Sequence, residues 1–180
     1  ALLIGARDIF NMDYDYIAFV HDKMSFYGTI DQRAGEGFRD LIFDSILKSE
    51  GYIENVIQLL EKNPHIGLLT PSFPMSGCYA DNYGKIWLKN YSGATELSKR
   101  LGLRCNLDST EDPIALGTAF WCRPRALKKL LDYPWRLEDF PCGKDRREGD
   151  ILHVVERIFE YVAQDAGFYT GVIVPSSRAS

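Results

Sequence analysis

Asp15-Tyr-Ile-Ala-Phe-Val-His-Asp-Lys23 is the stretch that decides the fold. Tyr16 to Val20 is an unbroken apolar, β-branched and aromatic run that stops at three ionisable residues, His21, Asp22 and Lys23. A short run that is apolar on both faces predicts a central strand in a sheet covered by helices. Open α/β sheets bind ligands beyond the carboxyl ends of their strands. His21, Asp22 and Lys23 stand at such an end and are the first candidates for chemistry. A strand cap or the start of a turn would use the same residues.

Outward from this stretch, strands and helices alternate. Residues 24–37 are polar and carry Gly28, Gly35 and Gly37, which predicts a loop. Phe38, Leu41, Ile42, Ile46 and Leu47 predict a helix up to Lys48, and Tyr52, Ile53, Val56, Ile57, Leu59 and Leu60 a second one. Asn63-Pro64 ends it, because a residue before proline disfavours the α region. Ile66 to Thr70 reads as a short buried strand. Residues 72–92 are irregular, although Tyr79, Tyr83, Trp87 and Tyr91 recur at every fourth position as a candidate ligand surface. Thr95 to Leu103 reads as a short helix. Pro113 to Cys122 reads as a strand whose Gly117 marks close approach by a ligand or another backbone.

Pro124 opens a helix to Leu131. A charged loop spans 132–147, the longest helix runs from Asp150 to Ala166, and Phe168 to Val174 is a closing strand. Residues 1–11 read as a short helix or its tail. The alternation predicts an α/β layer fold in a single domain over residues 1–180.

Composition narrows the function classes. The chain has 180 residues, 46% hydrophobic and 26% charged, which suits one globular domain with a sizeable core. A net charge of −4 argues against non-specific nucleic-acid binding, which relies on Lys and Arg at phosphates. No apolar run approaches the roughly 18–20 residues of a membrane span. Cys78, Cys105, Cys122 and Cys142 have no CxxC spacing, so reduced thiols are expected rather than a zinc site. Phosphate-loop, nucleophile-elbow, dinucleotide and HExxH patterns are all missing.

Two further constellations carry chemistry. On a helical wheel from Ile151, at about 100° per residue, Leu152, Val155, Ile158, Phe159 and Val162 share one face. His153, Glu156, Arg157, Glu160 and Gln164 fall opposite, either as a solvated face with i,i+4 pairs or as a face turned to a ligand. Glu148 and Asp150 stand at the start of that helix, where dipole and capping also favour carboxylates. Glu138 and Asp139 add two carboxylates in the charged loop before it.

Tyr14-Asp-Tyr-Ile-Ala-Phe-Val-His-Asp-Lys-Met-Ser25, Asn63-Pro-His-Ile-Gly-Leu-Leu-Thr-Pro71, Leu116-Gly-Thr-Ala-Phe-Trp-Cys-Arg-Pro124 and His153-Val-Val-Glu-Arg157 with Tyr161-Val-Ala-Gln-Asp-Ala-Gly167 carry a resemblance over roughly residues 5–170. They are similar to the rhamnan synthesis protein F family of bacterial cell-wall and lipopolysaccharide polysaccharide assembly. The resemblance implies a glycosyltransferase with a GT-A-like three-layer sandwich and a mixed, mostly parallel sheet. The strands that would precede Asp15 in such a fold are missing, so the chain is expected to be the metal and acceptor portion of a longer protein.

The implied chemistry is transfer of a sugar, rhamnose from dTDP-rhamnose, to a growing glycan or lipid-linked glycan. Asp22 would bind a divalent cation, Mg²⁺ or Mn²⁺, as the single carboxylate of a degenerate Asp-x-Asp motif. His21, Lys23, His153, Glu156 and Arg157 would contact the substrate, and Glu148, Asp150 or Asp139 would be the catalytic base. Trp121 would stack on a sugar face or lie in the core. The implied location is cytoplasmic, with membrane association through other parts of the full protein. The alternative function is a non-catalytic glycan-binding or scaffolding module. A glycoside hydrolase would need two carboxylates flanking one bond, and no motif favours it.

Overall fold

The computed structural model describes residues 2–21, 32–75, 81, 83–141 and 149–175. Its sheet contains β1 (Ile17–Phe19), β2 (Ile66–Pro71), β3 (Phe120–Cys122) and β4 (Tyr169–Ile173), in the order β1-β3-β2-β4. β3 runs antiparallel to β1, with Ala18 opposite Trp121, and antiparallel to β2, with Leu69 opposite Trp121. β2 and β4 are parallel. Thus β1, β2 and β4 point one way and β3 points against them.

Two expectations are corrected here. The sheet is mixed, but its pairings are antiparallel except for β2 with β4. An apolar run does not encode strand direction, and here β3 is inserted head-to-tail between β1 and β2. Tyr16 to Val20 is not a central strand either: among the described residues β1 lies at the sheet edge, half-buried throughout.

Helices cover both faces. α1 (Gln32–Ile46) and α2 (Glu50–Lys62) pack Phe38, Ile42, Val56 and Leu60 against Leu69, Trp121 and Ile173. The opposite layer holds α3 (Tyr91–Leu101), α4 (Lys128–Asp132), α5 (Ile151–Glu156) and α6 (Phe159–Asp165). It packs Leu97, Leu130, Val155 and Phe159 against Leu68, Phe120 and Cys122. Adjacent strand residues thus serve opposite layers, as the pleat dictates. Each fully buried side chain of this size contributes about 1.5–3 kcal/mol, so the two covering layers outweigh any single polar contact below.

Local chemistry sets the ends of these elements. Ser49 caps α2 by accepting from the Tyr52 amide at 3.3 Å, and Asn63-Pro64 closes it. Gly102, at φ +64°, ends α3 and lets the Leu103 amide reach back to the Ser98 carbonyl. α3 opens at Tyr91 rather than Thr95, whose hydroxyl instead donates to the Tyr91 carbonyl inside the helix. α1 begins at Gln32, within the expected loop. Gly35 and Gly37 each weaken a helix by about 1 kcal/mol, less than the burial of Phe38, Leu41 and Ile42 returns.

The expected helix from Asp150 to Ala166 is two helices. The Arg157 amide is shared between the His153 and Val154 carbonyls, both at 3.2 Å, and the Ile158 amide bonds three residues back, to the Val155 carbonyl at 3.2 Å. That tighter turn advances the wheel, so residues after Glu156 leave the faces a continuous helix would give them. The expected strand over Pro113 to Cys122 shrinks to β3, because Gly117 (φ +76°) and Thr118 (φ +48°) are left-handed and cannot lie in a strand. Residues 7–11 form a short 3-10 helix. No described helix is long and apolar enough to cross a membrane. Cys105 and Cys122 are free thiols, and Cys78 and Cys142 lie outside the described residues.

Candidate functional site at the carboxyl edge of the sheet

Because β1, β2 and β4 are co-directional, their carboxyl ends share one edge with the segment leading into β3. His21 after β1, Gly117 and Thr118 before β3, and Ser72 and Phe73 after β2 therefore stand side by side. His21 Nε2 lies 2.8 Å from the Gly117 carbonyl oxygen. A carbonyl only accepts, so the imidazole proton is on Nε2. The Gly117 amide in turn donates to Glu156 Oε1 at 2.5 Å.

Gly117 is required twice over. Its φ is left-handed, and an added Cβ would stand 2.9 Å from Phe38 Cζ and 3.3 Å from Ile42 Cδ1. The close approach expected at this glycine is thus made by the α1 side chains. Thr118, a β-branched residue at φ +48°, costs about 1–2 kcal/mol in that conformation. A charge-assisted hydrogen bond such as that of Glu156 contributes about 1.5–3 kcal/mol, enough to hold the strained pair.

Glu156 and Arg157 are buried, contrary to the polar face expected of them. Arg157 Nη1 is 3.2 Å from Glu156 Oε1, and Arg157 Nε donates to the Ile86 carbonyl at 3.0 Å. The Ile86 amide donates to Asp112 Oδ1 at 2.7 Å. α5 thus braces two irregular segments, 83–90 and 112–118, each carrying a left-handed non-glycine residue, Leu88 or Thr118. Trp121 belongs to the core beneath α1, where its indole N–H donates to the Ile46 carbonyl at 3.1 Å, so it offers no face to a sugar.

The remaining candidates divide. His153 is partly buried on α5, and Asp150 sits at the N-cap position of that helix, beside Gly149, whose amide donates to Asn90 Oδ1 at 2.9 Å. Asp139 caps its own 3-10 turn by accepting from the Arg136 amide at 2.8 Å. Asp22, Lys23 and Glu148 lie outside the described residues, as does Tyr79. Of the other aromatics, Trp87 and Tyr91 pack edge-to-face in the core at 5.1 Å. Tyr83 is 63% exposed and leans on Phe73 at 5.8 Å, so it offers a ligand more ring surface than buried Trp87 or half-buried Tyr91. A cleft of about 300 Å³ between Asn11, Arg125 and Lys128 lies at the opposite edge of the sheet.

Glu160 was legible only as part of a polar face, yet it takes a structural role. Its carboxylate accepts from the Ile114 amide at 2.8 Å, and burial pushes its pKa from 4.5 up to about 7. A folded-state value above the unfolded one means a proton favoured by folding. This contribution is complete below about pH 4.5 and is lost as pH rises through about 7. Glu160→Gln removes the penalty of the ionised form. The variant should gain on the order of 2 kcal/mol over the parent between pH 5 and pH 8.5, as read from urea unfolding. Parallel pH profiles for the two proteins would remove the assignment.

A family profile for rhamnan synthesis protein F matches residues 1–168. No curated protein and no solved structure matches the chain. The stretches that meet at this edge, around His21, Gly117 and Glu156, all fall inside the matched span. The chain belongs to the rhamnan synthesis protein F family, and so to the machinery of rhamnan polysaccharide synthesis.

Proposed function

We propose that the chain is the metal and acceptor portion of a GT-A-like glycosyltransferase domain, transferring rhamnose from dTDP-rhamnose to a growing rhamnan. One observation carries this reading: three sequence stretches far apart in the chain converge on the carboxyl edge through His21, Gly117 and Glu156. Left-handed non-glycine residues such as Thr118 at that edge are a feature that clusters at active sites and ligand clamps.

In the proposed reaction an acceptor hydroxyl attacks the anomeric carbon of the donor. A carbon–oxygen bond to the acceptor forms, the bond to the diphosphate breaks, and a carboxylate takes the hydroxyl proton. Asp150, at the N-cap of the helix whose far end braces Gly117, is the proposed base, with Glu148 as the other carboxylate that the family resemblance offers. Lys23 and His153 would meet the diphosphate, and the exposed face of Tyr83 the acceptor. Among the described residues no group of three or more His, Cys, Asp or Glu could hold a cation. Asp22 would be the protein ligand of a divalent ion, whose charge offsets that of the leaving diphosphate.

Calorimetric titration of dTDP and UDP, with and without Mn²⁺, tests the reading. Metal-dependent dTDP binding should weaken at least tenfold in Asp22→Ala, about 1.4 kcal/mol or more. Binding of a rhamnan oligosaccharide without any nucleotide binding, in this chain and in the full-length protein, would establish a glycan-binding module instead.

A further inference from the structure

We propose that Glu156 is a positioning residue that acts through the Gly117 peptide to fix the orientation and tautomer of His21. Its functional consequence rests on the reading of the carboxyl edge as the donor site. The structural claim stands on geometry alone.

Glu156 is too deeply placed to touch a ligand, with its side chain 11% exposed and its carboxylate on the Gly117 amide at 2.5 Å. The carboxylate is itself held by Arg157 at 3.2 Å, and Arg157 is anchored on the Ile86 carbonyl at 3.0 Å. Gly117, left-handed at φ +76°, joins that held amide to its own carbonyl. That carbonyl is the acceptor for His21 Nε2 at 2.8 Å. A proton is therefore kept on Nε2. The order of control runs from Ile86 through Arg157, Glu156 and Gly117 to His21. Buried partners of this kind orient the groups they touch, and their loss commonly lowers affinity or activity about 10–100-fold.

Nitrogen-15 NMR of histidine-labelled protein reads the tautomer, with His21 signals assigned by their loss in His21→Gln. The parent and Glu156→Gln, which keeps an oxygen acceptor, should both show His21 protonated on Nε2. Glu156→Ala should show mixed tautomers, with dTDP bound at least tenfold more weakly. Should Glu156→Ala fail to fold, Glu156→Leu with Arg157→Met replaces the buried pair by apolar groups, a change that proteins often tolerate, and should give the same mixture. An unchanged His21 tautomer in a folded Glu156→Ala or double variant would overturn the proposal. If the parent binds no dTDP, the donor-site reading falls while the tautomer result still decides this one.

Discussion

Trp121→Ala is expected to destabilise the protein by about 3–5 kcal/mol, the usual cost of deleting a large buried aromatic. Trp121 is 6% exposed and sits on β3 between Ala18 and Leu69, beneath α1. Its indole N–H to the Ile46 carbonyl ties the end of α1 to the sheet. Trp121→Phe keeps most of the ring but leaves that carbonyl without its indole donor, and should cost about 1–2 kcal/mol. Urea unfolding gives both values. The milder variant should bind rhamnan oligosaccharide as the parent does. Loss of glycan binding in a stable Trp121→Phe would restore the stacking role.

Arg123→Ala is the second large effect, about 3 kcal/mol. Its guanidinium donates from Nε to the Ile66 carbonyl at 2.9 Å and from Nη2 to the Leu60 carbonyl at 2.6 Å. It also lies 5.0 Å over the Tyr16 ring. One side chain thus joins the residue before β1, the last turn of α2, the start of β2 and the end of β3. Each hydrogen bond from a charged donor contributes about 1.5–3 kcal/mol, part of which water recovers at a half-exposed site. Lysine has no fork and no planar face, so Arg123→Lys should still lose about 2 kcal/mol. Matching denaturant midpoints for Arg123→Lys and the parent would contradict this account.

Local sequence rules carried much of the architecture. The Asn63-Pro64 stop, the buried run from Ile66 and the proline at position 124 each fix a boundary by backbone chemistry, and the structure agrees within a residue. The layered α/β class followed from the same alternation. What stayed hidden depends on distant contacts. The apolar run at Tyr16 could not reveal an edge position, because its neighbour β3 comes a hundred residues later. The break at Arg157 could not be read from a wheel that assumes constant pitch, and the burial of Glu156 depends on a distant partner, the Gly117 amide. Gly117 stands out in the sequence, but Phe38 and Ile42, the side chains an added Cβ would meet, come far earlier in the chain.

The candidate site shows the same division. His21 at a strand end was legible from the abrupt change from apolar to ionisable residues. The family resemblance makes Glu156 a ligand contact, whereas its carboxylate faces a backbone amide inside the protein. Tyr83 was one of four equivalent aromatics until packing drew Trp87 and Tyr91 into the core.

The location of the site is the claim on which the rest depends. Amide shift mapping of the nitrogen-15-labelled chain, titrated with dTDP and Mg²⁺, addresses it most directly. The shifts should gather at His21, Gly117 and Thr118, while Asn11, Arg125 and Lys128 at the opposite edge stay in place. Shifts centred on that opposite cleft, with His21 and Gly117 unmoved, would contradict the account.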